Sequence, residues 1–217
     1  MVRIPLFPLH TVLFPGMPLP LHIFEPRYQQ MINTCLKDDR SFGVVLIQRG
    51  SEALGPLAEP HKVGCTARII EVQPLSEGRM NISTIGERRF RIHSLNYDKP
   101  YLIGEVEYFP LPAEDAEVLN PAADRLIPKM HQYIDLLNTF EEVNLNIENL
   151  PDDLVMLAQM AAALLQMPPD EKQELLKSSS VLDLMESTSQ VYNREIAFLR
   201  AIIDHGEDKN QSIFSQN

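Results

Sequence analysis

The sequence has no tryptophan, two cysteines and nine glycines in 217 residues. The cysteines, Cys35 and Cys65, make no Cys-x-x-Cys pair, which excludes a zinc ribbon and a thioredoxin-like redox site. They read as two reduced thiols of a reducing compartment, where disulfides do not persist. No glycine precedes a lysine, so there is no Walker A loop, and no Gly-x-Gly-x-x-Gly occurs. The six histidines contain no His-Glu-x-x-His pair, and serine chemistry lacks both the Gly-x-Ser-x-Gly elbow and a Ser-x-x-Lys pair. No run approaches the ~20 apolar residues of a membrane span. The apolar N-terminus is broken by Pro5, Pro8, Pro15, Pro18 and Pro20, so it has no signal-peptide core. The expectation is a cytoplasmic protein with no catalytic site, cofactor or metal.

What the sequence does have is proline, 17 residues of it, and a net charge of −11 that is unevenly spread. Residues 1–110 carry 12 Lys+Arg against 11 Asp+Glu, whereas residues 111–217 carry 7 against 19. Such asymmetry predicts two domains with different tasks. The acidic half repels phosphate backbones, which weighs against nucleic acid as a partner.

The hydrophobic period divides at the same place. In the first half, Phe42 to Gln48 is a short β-branched run, Val63 to Val72 alternates, and Met80, Ile82 and Thr84 oppose Asn81, Ser83 and Ile85. Glu77-Gly78 suits a hairpin turn between the last two. Phe90 and Ile92 face one way, Arg89, Arg91 and His93 the other, and Tyr101 to Phe109 closes the set. One helix interrupts the strands: Pro26 fits a first helical position, with Tyr28, Met31, Ile32 and Cys35 at helical spacing. The pattern predicts a small closed or half-closed barrel.

In the second half Pro121 opens a helix with Leu126, Met130, Tyr133 and Leu137 on one side, kinked or divided at Pro128. Leu154 to Met167 is apolar nearly all round and is expected in a bundle, with Met156, Met160, Leu164 and Met167 in its core. A short helix over 170–177 follows. A long one runs from Val181 to about Asp204, ended by Gly206. The predicted domains are 1–112 (β), 113–205 (helical bundle) and a disordered polar tail at 206–217.

The stretch Ile4 to Tyr28, IPLFPLHTVLFPGMPLPLHIFEPRY, strongly resembles the start of the Lon protease N-terminal domain, especially its stand-alone branch and the Lon-like domain of cereblon. The likeness continues through Phe42-Gly43-Val44, Val63 to Ile69, Gly78-Arg79, Gly86-Glu87-Arg88-Arg89-Phe90 and Pro100-Tyr101. It reaches Glu171 to Leu176 and Arg194-Glu195-Ile196 in the helical half. Departures are small: Glu77 stands where many relatives have Asp, and an arginine is common near Val181-Leu182. The resemblance implies an α+β fold, a PUA-like β pseudobarrel followed by a helical bundle ending in a long helix. It implies a substrate-recognition module without the ATPase and serine–lysine protease domains.

The expected partners are unfolded or partner polypeptides, a protease among them, and a second copy of the chain; no membrane is expected. The role would be that of an adaptor in proteolysis or protein quality control. The candidate partner-binding residues are Phe14 and Met17 in an apolar turn, Glu25, Arg27 and Tyr28 at the helix start, and Arg89 and Arg91 in the only basic cluster. Each also has a structural reading: the turn shapes the chain, Glu25 suits a helix N-terminus, and the arginines line a solvated strand face. An RNA- or small-ligand-binding barrel is the alternative function. An enzyme with an unrecognised site is a third, distinguished by a deep pocket with converging polar groups including His22 or Glu25.

Overall fold

The computed structural model describes residues 1–37, 41–51, 58–141, 147 and 149–214. Alternating apolar residues build six strands: β1 (Val2–Leu9), β2 (Pro18–Ile23), β3 (Ser41–Arg49), β4 (Glu59–Pro74), β5 (Met80–Asn96) and β6 (Leu102–Tyr108). Helix α1 (Pro26–Lys37) lies between β2 and β3 in sequence and buries Tyr28, Met31, Ile32 and Cys35, the stripe that the spacing predicts. The sheet order is β2-β5-β4-β3-β1-β6, and β6 also pairs with β5, so β1, β3, β4, β5 and β6 close into a ring.

Strand β5 is long enough to serve two neighbours. Its first part pairs β2 from Ile23↔Met80 to Pro18↔Ile85, and its second pairs β6 from Phe90↔Tyr108 to Asn96↔Ile103. Strand β2 is thus an appendage on the ring, with one edge unpaired among the described residues. The Glu77-Gly78 turn between β4 and β5 is observed: both residues have positive φ, 59° and 72°, the conformation of a tight hairpin that matches strand twist.

Two apolar clusters hold this part together. Leu6, Val45, Phe90, Leu102 and Val106 form one, and Phe7, Tyr28, Met31, Ile32, Phe42, Cys65 and Ile69 form another beneath α1. Both cysteines are buried thiols outside any disulfide.

The chain divides into two compact units, Met1–Pro112 with Ala162–Ser179, and Ala113–Ala161 with Ser180–Asn217. The short helix α4 (Pro169–Leu176), read from sequence with the helical half, therefore packs with the strands. Gln173 donates to the Val63 carbonyl of β4 at 2.9 Å. Arg89 of β5 donates to the carbonyls of Leu176 and Ser178 at 2.7 and 2.8 Å, a cation at a helix C-terminus.

The second unit is built from α2 (Ala116–Glu141), most of α3 (Leu154–Leu164) and α5 (Val181–Phe214). Leu126, Met130, Tyr133 and Leu137 are buried, as the stripe predicts. Tyr192 donates to the Ala161 carbonyl at 2.7 Å and meets Tyr133 edge-on with centroids 5.2 Å apart. The Glu114 carboxylate accepts from the Val181 and Leu182 N–H groups at 2.6 and 3.2 Å, capping α5.

Three expectations are corrected here. Helix α2 begins at Ala116, ahead of Pro121, and continues through Pro128; burial of Leu119, Ala122 and Leu126 outweighs the backbone bonds that proline removes. Helix α5 passes Gly206 and continues to Phe214, since an internal glycine costs only about 1 kcal/mol. The methionines of α3 are not its core: Met156 is 54% exposed, while Leu157, Ala158, Ala161 and Ala162 are buried. Alanine lets neighbouring backbone approach closely, so the small-residue face turns inward although methionine is the more hydrophobic residue.

Candidate functional site

The turn expected to carry Phe14 and Met17 is structural. Met17 N–H bonds to the Phe14 carbonyl at 3.1 Å, with Pro15 and Gly16 (φ 79°) at the central positions that a type II turn prefers. The turn is pinned to β5 by Gly16 N–H to Gly86 O and Gly86 N–H to Met17 O, both 2.9 Å. A methyl group at Gly86 would overlap the Phe14 carbonyl, so the close approach requires glycine. Phe14 is buried and Met17 packs half-buried on the core. Neither offers an exposed apolar tip.

Glu25 and Arg27 are brought together at the start of α1. The Glu25 carbonyl accepts the N–H groups of Tyr28 and Gln29, both at 3.0 Å, and its carboxylate pairs with Arg27 at 3.0 Å. The Arg27 guanidinium lies 4.7 Å from the centre of the Tyr28 ring, which also stacks on Phe7 at 4.0 Å. Tyr28 is buried.

The two candidate arginines of β5 go different ways. Arg89 is 3% exposed, because α4 covers the strand face that alternation alone would leave to water. Burial lowers its pKa to about 10. The same burial pushes the thiol of Cys65, its cross-strand partner, up to about 12. Arg91 remains exposed, its guanidinium 4.4 Å from the Phe109 ring centre. Arg89 stacks on the same ring at 4.5 Å.

What sequence reasoning missed is a cavity of about 260 Å³ beside α1. Phe7 and Leu9 of β1 form one wall, and the β2 stretch from Pro20 to Ile23 forms the other. Phe24, Glu25 and Tyr28 complete it. All of these residues fall between positions 7 and 25 or at Tyr28, inside the segment that carries the resemblance.

Phe24 stands at the mouth of the cavity, 47% exposed. Its carbonyl is held by the Gln29 side chain at 3.0 Å, and its ring lies 5.9 Å from that of His22. The polar tips on this rim are engaged elsewhere: His22 Nδ1 with Asn81 Oδ1 at 2.7 Å, and the Glu25 carboxylate with Arg27. The lining is mainly apolar, and its one carboxylate, that of Glu25, is neutralised by Arg27. A signal was present in the sequence: continuing the alternation of β2 one residue past Ile23 places an aromatic side chain outward.

Residues 3–193 match the family model described as the ATP-dependent protease La (LON) substrate-binding domain. The chain belongs to the LON substrate-binding domain family. Among curated relatives, Lon protease of Syntrophus aciditrophicus (strain SB) is 26% identical over 208 residues, covering 90% of this chain and 25% of that protein. Lon protease 2 of Myxococcus xanthus is 25% identical over 201 residues, covering 91% and 24%.

Among solved structures, the Lon N-terminal domain protein from Xanthomonas campestris matches with TM-score 0.61 at 25% identity, over 86% of this chain and 96% of that one. The N-terminal domain of the Mycobacterium avium complex Lon protease matches with TM-score 0.58 at 16% identity, over 90% and 98%, and shows the fold. The chain thus spans about a quarter of the curated relatives' length. The match lies in the substrate-binding domain of the LON family. Among the described residues, no helix is long and apolar enough to cross a membrane.

Proposed function

We propose that this LON-family domain is a non-catalytic recognition module for polypeptides, and that the cavity between β1, β2 and α1 is its contact site. The observation that carries this reading is that the cavity is lined by the family's signature segment and opens beside an exposed phenylalanine. A small apolar depression with one aromatic at its mouth suits the apolar side chains of unfolded chains. His22 and Glu25 do line the cavity, as the enzyme alternative requires. Their bonds to Asn81 and Arg27, and the apolar surroundings, favour binding over proton transfer. The role is that of an adaptor in cytoplasmic proteolysis or protein quality control, and its partners are unfolded chains or a protease.

Replacing Phe24 by Asp tests the site. Its side chain is already half in water, so the fold is spared. Binding of fluorescently labelled, reduced and carboxymethylated lactalbumin, read by anisotropy, is expected to weaken about tenfold or more, a loss of roughly 1.4 kcal/mol. Phe198→Asp, at a phenylalanine of α5 that is 60% exposed, is expected to leave binding unchanged. Equal binding by wild type and both variants removes the cavity as the site.

A further inference from the structure

Strand β2 has a peculiar open edge. Gly86 donates to the Met17 carbonyl, and the Leu19 carbonyl accepts from Thr84 Oγ1 at 2.7 Å. In an antiparallel ladder alternate residues turn their backbone groups the same way. Met17, Leu19, Leu21 and Ile23 therefore face β5, and Pro18, Pro20 and His22 face the open side. Two of those three residues have no N–H. The edge presents three carbonyls but a single donor, that of His22.

The opposite wall of the cavity is similar. β1 pairs with β6 only as far as Leu6↔Leu102, and the stretch beyond it contains Pro8, again without a donor. A strand entering this gap needs donors and acceptors in alternation from its neighbours, and neither wall supplies them.

The size of the cavity points the same way. At about 260 Å³ it lies below the roughly 300–1,000 Å³ of ordinary small-molecule sites. It suits a single bulky side chain rather than a cofactor.

Resting on the polypeptide reading above, we propose that this site takes one apolar side chain of an extended polypeptide by insertion. The prolines of β1 and β2 bar the polypeptide from joining the sheet as an added strand. Recognition then depends on the anchor side chain and tolerates variation of the partner's backbone. This differs from the edge-strand mode, in which main-chain hydrogen bonds supply the affinity.

The test uses overlapping short peptides covering the lactalbumin sequence, the tightest binder being remade in two series. In one, each apolar side chain is cut to Ala; in the other, alternate backbone nitrogens are methylated. One Ala substitution is expected to weaken binding by about tenfold or more, while N-methylation changes it by less than about threefold. Pro18→Val/Pro20→Val, which restores two donors to the edge, is expected to bind the unmethylated peptide more tightly and to discriminate against the methylated one. Methylation that abolishes binding to the wild type, or a double variant that behaves as wild type, overturns the insertion mode and leaves the polypeptide reading intact. If no peptide binds, the polypeptide reading fails and the insertion mode with it.

Discussion

Arg89 shows how a single residue can mislead a one-dimensional reading. In sequence it is one of three arginines on a strand and belongs with the polar face. In the fold that face is roofed by α4, and the guanidinium becomes the cap of that helix. Removing it strands the carbonyls of Leu176 and Ser178 in a dry place. Arg89→Met is therefore expected to cost about 2–3 kcal/mol of stability, measured by urea denaturation, with faster amide exchange along 171–178. An unchanged midpoint would mean that the α4 terminus finds water. Cys65 makes a second prediction. Its thiol is held protonated in the folded state up to about pH 12, against 9.0 for an ordinary thiol. Its stabilising effect is complete below about pH 9 and is lost as pH rises toward 12, because the unfolded thiol ionises first. The stability gap between wild type and Cys65→Ala should accordingly narrow as pH rises above about 9, and native Cys65 should resist a thiol reagent at pH 8.

At the scale of elements, the hairpin between β4 and β5 carries the clearest local strain. Glu77 holds φ 59°, in the left-handed region that Asn and Gly adopt far more readily. Glu77→Asn is expected to raise stability by about 0.5–1 kcal/mol by forming the preferred Asn-Gly turn, read as a shift of the thermal midpoint. A loss would mean that the Glu77–Arg79 pair at 3.4 Å contributes more than its exposure suggests. This turn was legible because turn chemistry is local, and so were the buried stripes of α1 and α2, whose periodicity matches their burial. The inward face of α3 was not, because choosing Ala161 over Met160 is decided by how closely neighbours approach. The cavity was hidden for a similar reason. It is the space between β1 and β2, consecutive strands that do not pair with each other among the described residues, and alternation describes a strand without naming what lies across its open edge.

For the whole molecule, chain order and spatial order differ. The segment Ala162–Ser179 leaves the helices, packs with the strands through Gln173 and Arg89, and the chain then returns to form α5. A composition boundary near residue 112 describes where the hydrophobic period changes and cannot show such a return. The family's separated motifs become neighbours in the same way: Gly86 receives the turn at 14–17, and Arg89 receives the helix at 169–176. The turn at 14–17 is thereby pinned to β5, and the cavity lined by the segment around it is a preformed feature of the first unit. Preformed sites lose less free energy to ordering when a flexible chain binds.

The most direct measurement is a backbone amide NMR titration of the isotope-labelled chain with unlabelled, reduced and carboxymethylated lactalbumin. Shifts are expected to concentrate at residues 7–9 and 20–28, with the amides of α2 and α5 unmoved, and to disappear in Phe24→Asp. Shifts centred on α2 and α5, or unaltered in the variant, would contradict it.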